Sequence, residues 1–201
     1  MFKSFLISLL LFLSYSVAKG QELQGYEVDV LKSLHQSLSQ ASNDTALMDN
    51  YRQLGFFHQN GDSDSSLYYH KLQLEFSKKL KMKLWEADAY QQIGYVQTSL
   101  VNLAEAFEAF SEGFRIAEDE RSEQNSWNVS RFSFSENPRG ARLSIVAMLY
   151  HDMRRLLLST REIEKAKEGL RIAEEIGERI NNKKVIILSN QSLGVVYMIE
   201  N

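Results

Sequence analysis

Apolar positions recur along this chain at helical spacing, and a short pattern recurs with them. Tyr51-x-x-Leu54-Gly55, Tyr90-x-x-Ile93-Gly94 and Asn190-x-x-Leu193-Gly194 share one spacing. Tyr150-x-x-Met153-Arg154 is a fourth copy, with Arg154 in the place of the glycine. Successive anchors at positions 55, 94, 154 and 194 lie 39, 60 and 40 residues apart. A period near 40 residues belongs to stacked helical hairpins, each of which buries its apolar face only against its neighbours. The pattern therefore predicts an all-α array and a binding surface, and it predicts no reaction.

The elements follow from the spacing. A capping helix lies within residues 21–44, where Val30, Leu31, Leu34 and Leu38 share a face. Residues 45–201 hold the repeats. Thr45 to His58 and Asp64 to Lys81 form the first pair, after N-cap candidates Ser42, Asn43 and Asp44 and around a turn at Asn60-Gly61-Asp62. Leu84 to Leu100 and Leu103 to Glu120 form the second. An insertion at residues 122–137 accounts for the long interval, and Asn137-Pro138 restarts a helix as cap and first residue. Arg139 to Ser159 and Glu162 to Asn181 form the third pair, and Lys183 to Glu200 is the first helix of a fourth. Within the second helices, Ala166, Leu170 and Ala173 echo Ala106, Phe110 and Gly113 sixty residues on, whereas the equivalent slots of the first pair are assigned to Leu67 and Lys71.

The N-terminus changes the compartment. Lys3, the apolar run Phe5 to Leu13 broken only by Ser8, and the small or polar residues Ser14 to Gly20 make a secretory signal peptide over residues 1–20. Cleavage is expected after Ala18 or Gly20. The run is shorter than the roughly 20 residues that span a bilayer. Export to the periplasm or cell envelope follows, and membrane association is expected only through an uncleaved signal or a C-terminal anchor. About 180 residues remain, enough for one domain. The chain has no cysteine, which removes thiol catalysis, cysteine zinc sites and iron–sulfur clusters. A net charge of −3 argues against nucleic acid as a partner.

With these residues assembled, the chain resembles the tetratricopeptide-repeat family over about residues 46–201. The aromatic residue, the Leu-Gly pair, the small Ala and the Phe or Leu at these spacings carry the likeness. It implies a right-handed helical-hairpin solenoid of about three and a half repeats. The period near 40 and the signal peptide together resemble the extracytoplasmic repeat regions of bacterial sensor histidine kinases and related regulators. That second likeness implies, as an alternative function, a sensory input region. The last helix carries Val185, Ile186, Ile187, Leu193, Val196 and Tyr197 with no following helix to cover them. The chain is therefore expected to be part of a longer protein or, failing that, to self-associate.

Candidate chemistry is sparse. His151-Asp152-Met153-Arg154 resembles the phospho-acceptor box of histidine kinases, but no ATP-binding module accompanies it, and we read it as one face of a repeat helix. His35, His58, His70 and His151 include no pair three or four residues apart, so no metal site is expected. No cofactor is expected either. No phosphate loop or nucleophile elbow is present, and the expected function is non-catalytic binding of a protein or peptide.

The first helices of such an array line its concave face. Counted from the anchors, the groove residues are Asp49, Arg52, Gln53 and Phe56; then Asp88, Gln91, Gln92 and Tyr95; then Met148, His151, Asp152 and Arg155; and finally Leu188, Gln191 and Val195. Amide, arginine and aromatic side chains suit capture of a peptide, and Arg52, Phe56, Gln91, Tyr95 and Arg155 are expected to carry the affinity. Trp127, Phe132 and Phe134 of the insertion offer a second contact surface, or else fold back over the gap at Arg154.

Overall fold

A computed structural model describes residues 25–133 and 135–200; the signal sequence and Phe134 lie outside them. The chain divides into two units, Met1–Ala41 and Ser42–Asn201. In the first, α1 covers residues 25–39, with Val30, Leu31, Leu34 and Leu38 half-buried and Tyr26 and Val28 exposed.

The second unit is a stack of helical hairpins, with no strand among the described residues. Its long helices are α2 (Asp44–His58), α3 (Ser63–Lys79), α4 (Lys83–Ser99) and α5 (Leu103–Ala117). After a one-turn helix, α6 (Ser130–Ser133), come α7 (Pro138–Ser159), α8 (Ile163–Arg179) and α9 (Lys183–Glu200). Each packs on its neighbour in sequence, and α7 packs on both α4 and α5, so the insertion does not interrupt the stack. Side-chain oxygens of Asn43, Asp62 and Asn137 accept from backbone amides three residues on, starting α2, α3 and α7.

Four of the turns share one closure. Lys81, Val101, Arg161 and Asn181 have φ between 54° and 63°, the left-handed region. The following amide reaches back five residues in each case, as in Asn102 N–H to the Gln97 carbonyl at 2.9 Å and Asn182 N–H to the Gly177 carbonyl at 2.8 Å. This pairing satisfies helix-end carbonyls and reverses the chain in three residues.

Glycines set the depth of helix packing. A Cβ on Gly94 would stand 2.8 Å from the Phe110 ring, and one on Gly55 would stand 2.5 Å from the His70 ring. His70 is thus the counterpart of Phe110, which corrects the assignment of Leu67 and Lys71. Gly55 to His70 spans one residue fewer than Gly94 to Phe110, so the α2–α3 connection shifts the register by one. Lys71 faces solvent and Leu67 is half-buried. The slots filled by Ala106, Phe110, Gly113 and Ala117 in α5 hold Ser66, His70, Gln73 and Ser77 in α3, all fully buried. The third pair solves the missing glycine differently. Arg154 is half-buried, its Nη1 donates to the His151 carbonyl at 2.9 Å, and the close approach moves to Gly169 against Tyr150.

The insertion is not an open loop. A 3-10 turn (Glu120–Glu123) leads into it, it contains α6, and it folds onto α4. Trp85 Nε1 donates to the Trp127 carbonyl at 2.7 Å, the two indoles lie 5.5 Å apart, and Phe132 meets Trp85 edge-on at 5.1 Å. Buried Arg142 holds the start of the insertion through Glu123 at 2.7 Å and the Ala117 carbonyl at 3.2 Å. Trp127 is half-buried against the core, and the cover it supplies is over Trp85, not over Arg154.

Candidate binding cavity

The first helices α2, α4 and α7, the one-turn helix α6 and the start of α9 line an open cavity of about 400 Å³. Eight groove candidates meet there: Arg52, Phe56, Asp88, Gln91, Gln92, Tyr95, Met148 and Asp152. Phe132 joins them from the insertion.

The polar side chains form two buried chains of hydrogen bonds. In one, Arg52 Nε donates to Asp88 Oδ2 at 2.8 Å and Gln73 Nε2 donates to the same oxygen at 2.7 Å. Gln73 Oε1 lies 3.0 Å from His70 Nδ1. Little of either charged side chain is exposed, 12% for Arg52 and 3% for Asp88, so each depends on the other for compensation. The Arg52 guanidinium also stacks 4.5 Å from the Phe56 centroid and 5.7 Å from that of Phe132. In the second chain, Gln91 Nε2 donates to Asp152 Oδ2 at 2.8 Å. Asp152 Oδ1 meets His151 Nδ1 at 2.8 Å, and His151 Nε2 meets Ser192 Oγ at 3.0 Å.

Burial pushes the His70 imidazole down to about 4, against smaller opposing effects of Gln73 and Asp88. The ring is neutral at pH 7, and its Nε2, pressed toward Gly55, is buried without a partner. Burial also lowers Arg154 below the usual arginine range.

The remaining candidates lie elsewhere. Asp49 is buried behind the wall, where its Oδ2 accepts from Gln53 at 3.1 Å and pairs with Arg131 of α6 at 2.8 Å. His151 is buried beneath Asp152. Arg155 lies 4.7 Å over the Tyr95 ring but does not line the cavity. Leu188, Gln191 and Val195 do not reach the cavity; α9 contributes Asn182, Lys184 and Val185 from its first turn instead. The count from the anchor fails there because the cavity crosses the stack obliquely, lined by the C-terminal half of α2 at one side and only by the start of α9 at the other. Asn182 Nδ2 donates to the Ser133 carbonyl and to Ser144 Oγ, each at 3.2 Å. Together with Arg131–Asp49 and Phe132–Trp85, this ties α6 to α2, α4, α7 and α9. Gln59 also lines the cavity and donates to Gln92 Oε1 at 3.2 Å. Its place one helical turn beyond Phe56 was the available signal in the sequence.

Ser192, His151 and Asp152 have the connectivity of a nucleophilic triad. The surroundings do not suit that chemistry. Ser192 is buried in the middle of α9, where backbone amides are spent on the helix and leave no pair of donors for an oxyanion. Neither Ser192 nor His151 lines the cavity. His151 is buried as well, with its ring nitrogens against Asp152 and Ser192. Among the described residues, no group of three or more His, Cys, Asp or Glu could hold a metal ion, and no helix is long and apolar enough to cross a membrane.

No model of a known protein family matches the chain, and no curated protein matches its sequence.

Proposed function

We propose that this chain is an exported, non-catalytic module of tetratricopeptide-like repeats that binds a protein partner by taking a short peptide segment into the cavity. The carrying observation is the composition of that cavity. Amides of Gln59, Gln91 and Gln92 face it beside the rings of Phe56, Tyr95 and Phe132. Amides both donate to and accept from a peptide backbone, and aromatic rings accept an apolar side chain. The aspartates Asp88 and Asp152 are already engaged by Arg52, Gln73, Gln91 and His151, so they act as supports for the walls rather than as acids or bases. Export rests on Lys3 and the apolar run Phe5 to Leu13.

Selection from a displayed peptide library tests the reading. Peptides retained by the parent chain should be lost, at least about tenfold in affinity, with Tyr95→Ala or Gln92→Leu. Phe110→Ala serves as the control for folding, because its ring is buried in the α4–α5 interface. Recovery of no peptide, or of peptides indifferent to Tyr95 and Gln92, would overturn the proposal.

A further inference from the structure

A second hollow, of about 650 Å³, lies where the starts of α7 and α9 meet the end of α8. The helices that wall it already pack on one another, so it is not the uncovered end of the stack. Arg139, Arg179, Lys183 and Lys184 line it, and no Asp or Glu does. Arg139, Arg179 and Lys183 make no ion pair with any described residue. This gathering of cations runs against the net charge of the whole chain, −3.

Helix stability does not explain where they sit. The start of a helix carries partial positive charge and favours an acidic side chain. Helices α2, α3, α4, α5 and α8 follow that rule, with Asp44, Asp64, Glu86, Glu105 and Glu164 in their first turns. Helices α7 and α9 have no acid there. They carry Arg139 in the one, and Lys183 with Lys184 in the other. These are the two helices whose starts open onto the hollow. Only Arg179, in the last turn of α8, stands where its own helix favours a cation. Cations held against the helix dipole on one concave surface build a positive field that receives negative charge. The hollow also adjoins the first cavity, because Ser144, Asn182 and Lys184 line both.

We propose that the hollow receives Asp or Glu side chains of the same peptide segment that occupies the first cavity. The assignment rests on the peptide-binding reading of that cavity and adds the class of ligand, a peptide with an acidic run beside the stretch held by the amides and rings. The four cations are exposed, so each ion pair is weak alone and screened by salt. Several carboxylates must act together, which selects a run of acids over a single one and over a free anion.

The probe is synthetic hexaglutamate, capped at both ends so that its only carboxylates are side chains. Amide signals of the isotope-labelled full chain should move at residues 139–144 and 179–184. Affinity should fall about tenfold between about 50 and about 300 mM salt. Arg139→Glu with Lys183→Glu should abolish the shifts. The melting temperature should hold or rise, because both changes put an acid at a helix start, so lost binding cannot be put down to lost folding. In the displayed-library selection, peptides retained through Tyr95 and Gln92 should carry a run of Asp or Glu and weaken about tenfold in the double reversal. Peptides that depend on Tyr95 and Gln92 but lack such a run and ignore the reversal would refute the inference and leave the cavity reading intact. Equal shifts from inorganic phosphate at the same concentration would refute it too, making the hollow a site for free anions. Hexaglutamate bound at the hollow while no peptide depends on Tyr95 or Gln92 would instead strike the cavity reading and leave the hollow taking acidic peptide by itself.

Discussion

The His70 ring sits directly on Gly55, where the equivalent glycine of the next repeat, Gly94, carries the ring of Phe110. An ionisable group thus occupies a slot built for a hydrocarbon. Its folded pKa is about 4 against an ordinary value of 6.5. Between those values the unfolded chain binds the proton and the folded chain does not. The stabilisation is therefore complete above about pH 6.5 and lost as pH falls toward 4, a change of roughly 3 kcal/mol. Urea unfolding at pH 7.5 and pH 4.5 should show it. His70→Phe should remove most of the difference, whatever its effect on absolute stability through Gln73. An unchanged pH slope would refute the assignment.

Gly94→Ala and Gly194→Ala should move stability in opposite directions. The first forces a methyl group into the Phe110 ring and should cost about 1–3 kcal/mol. The second enters open space and should gain up to about 1 kcal/mol in helix propensity. Thermal melts of both variants against the parent check the two signs.

Val101 holds φ at 62° in the α4–α5 turn and is exposed. A β-branched residue is poorly suited to the left-handed region, which costs an L-residue about 1–2 kcal/mol. Val101→Gly should stabilise the protein by about 1 kcal/mol, seen as a rise in the denaturant midpoint at constant slope. A lower midpoint would contradict the strain.

Asp88→Ala leaves Arg52 buried among aromatic rings without its counter-charge. It should destabilise by about 3–5 kcal/mol. Arg52→Met with Asp88→Leu removes both charges and should recover a substantial part of that loss. A double-mutant cycle that gives additive effects would show that the two residues are uncoupled.

Ser192 should not react with a fluorophosphonate probe. Ser192→Ala should cost on the order of 1 kcal/mol through the lost bond to His151. Labelling at Ser192 that disappears in the alanine variant would instead give the triad-like chain a chemical role.

The sequence by itself determined the helical-hairpin array, because a 3.6-residue apolar period and a repeated anchor admit few other ways to bury the same residues. It also marked Arg52, Phe56, Gln91, Gln92 and Tyr95, since their faces follow from a count along one helix. Only the tertiary structure decided the rest. The one-residue shift that puts His70, not Lys71, on Gly55 depends on a connection length that local spacing does not reveal. The fold of the insertion onto Trp85 joins residues more than forty positions apart, and the cavity runs obliquely from the C-terminal half of α2 to the start of α9, away from Leu188, Gln191 and Val195. Periodicity fixes which face of a helix is buried; which partner covers that face is set by contacts between segments whose separation carries no local signal.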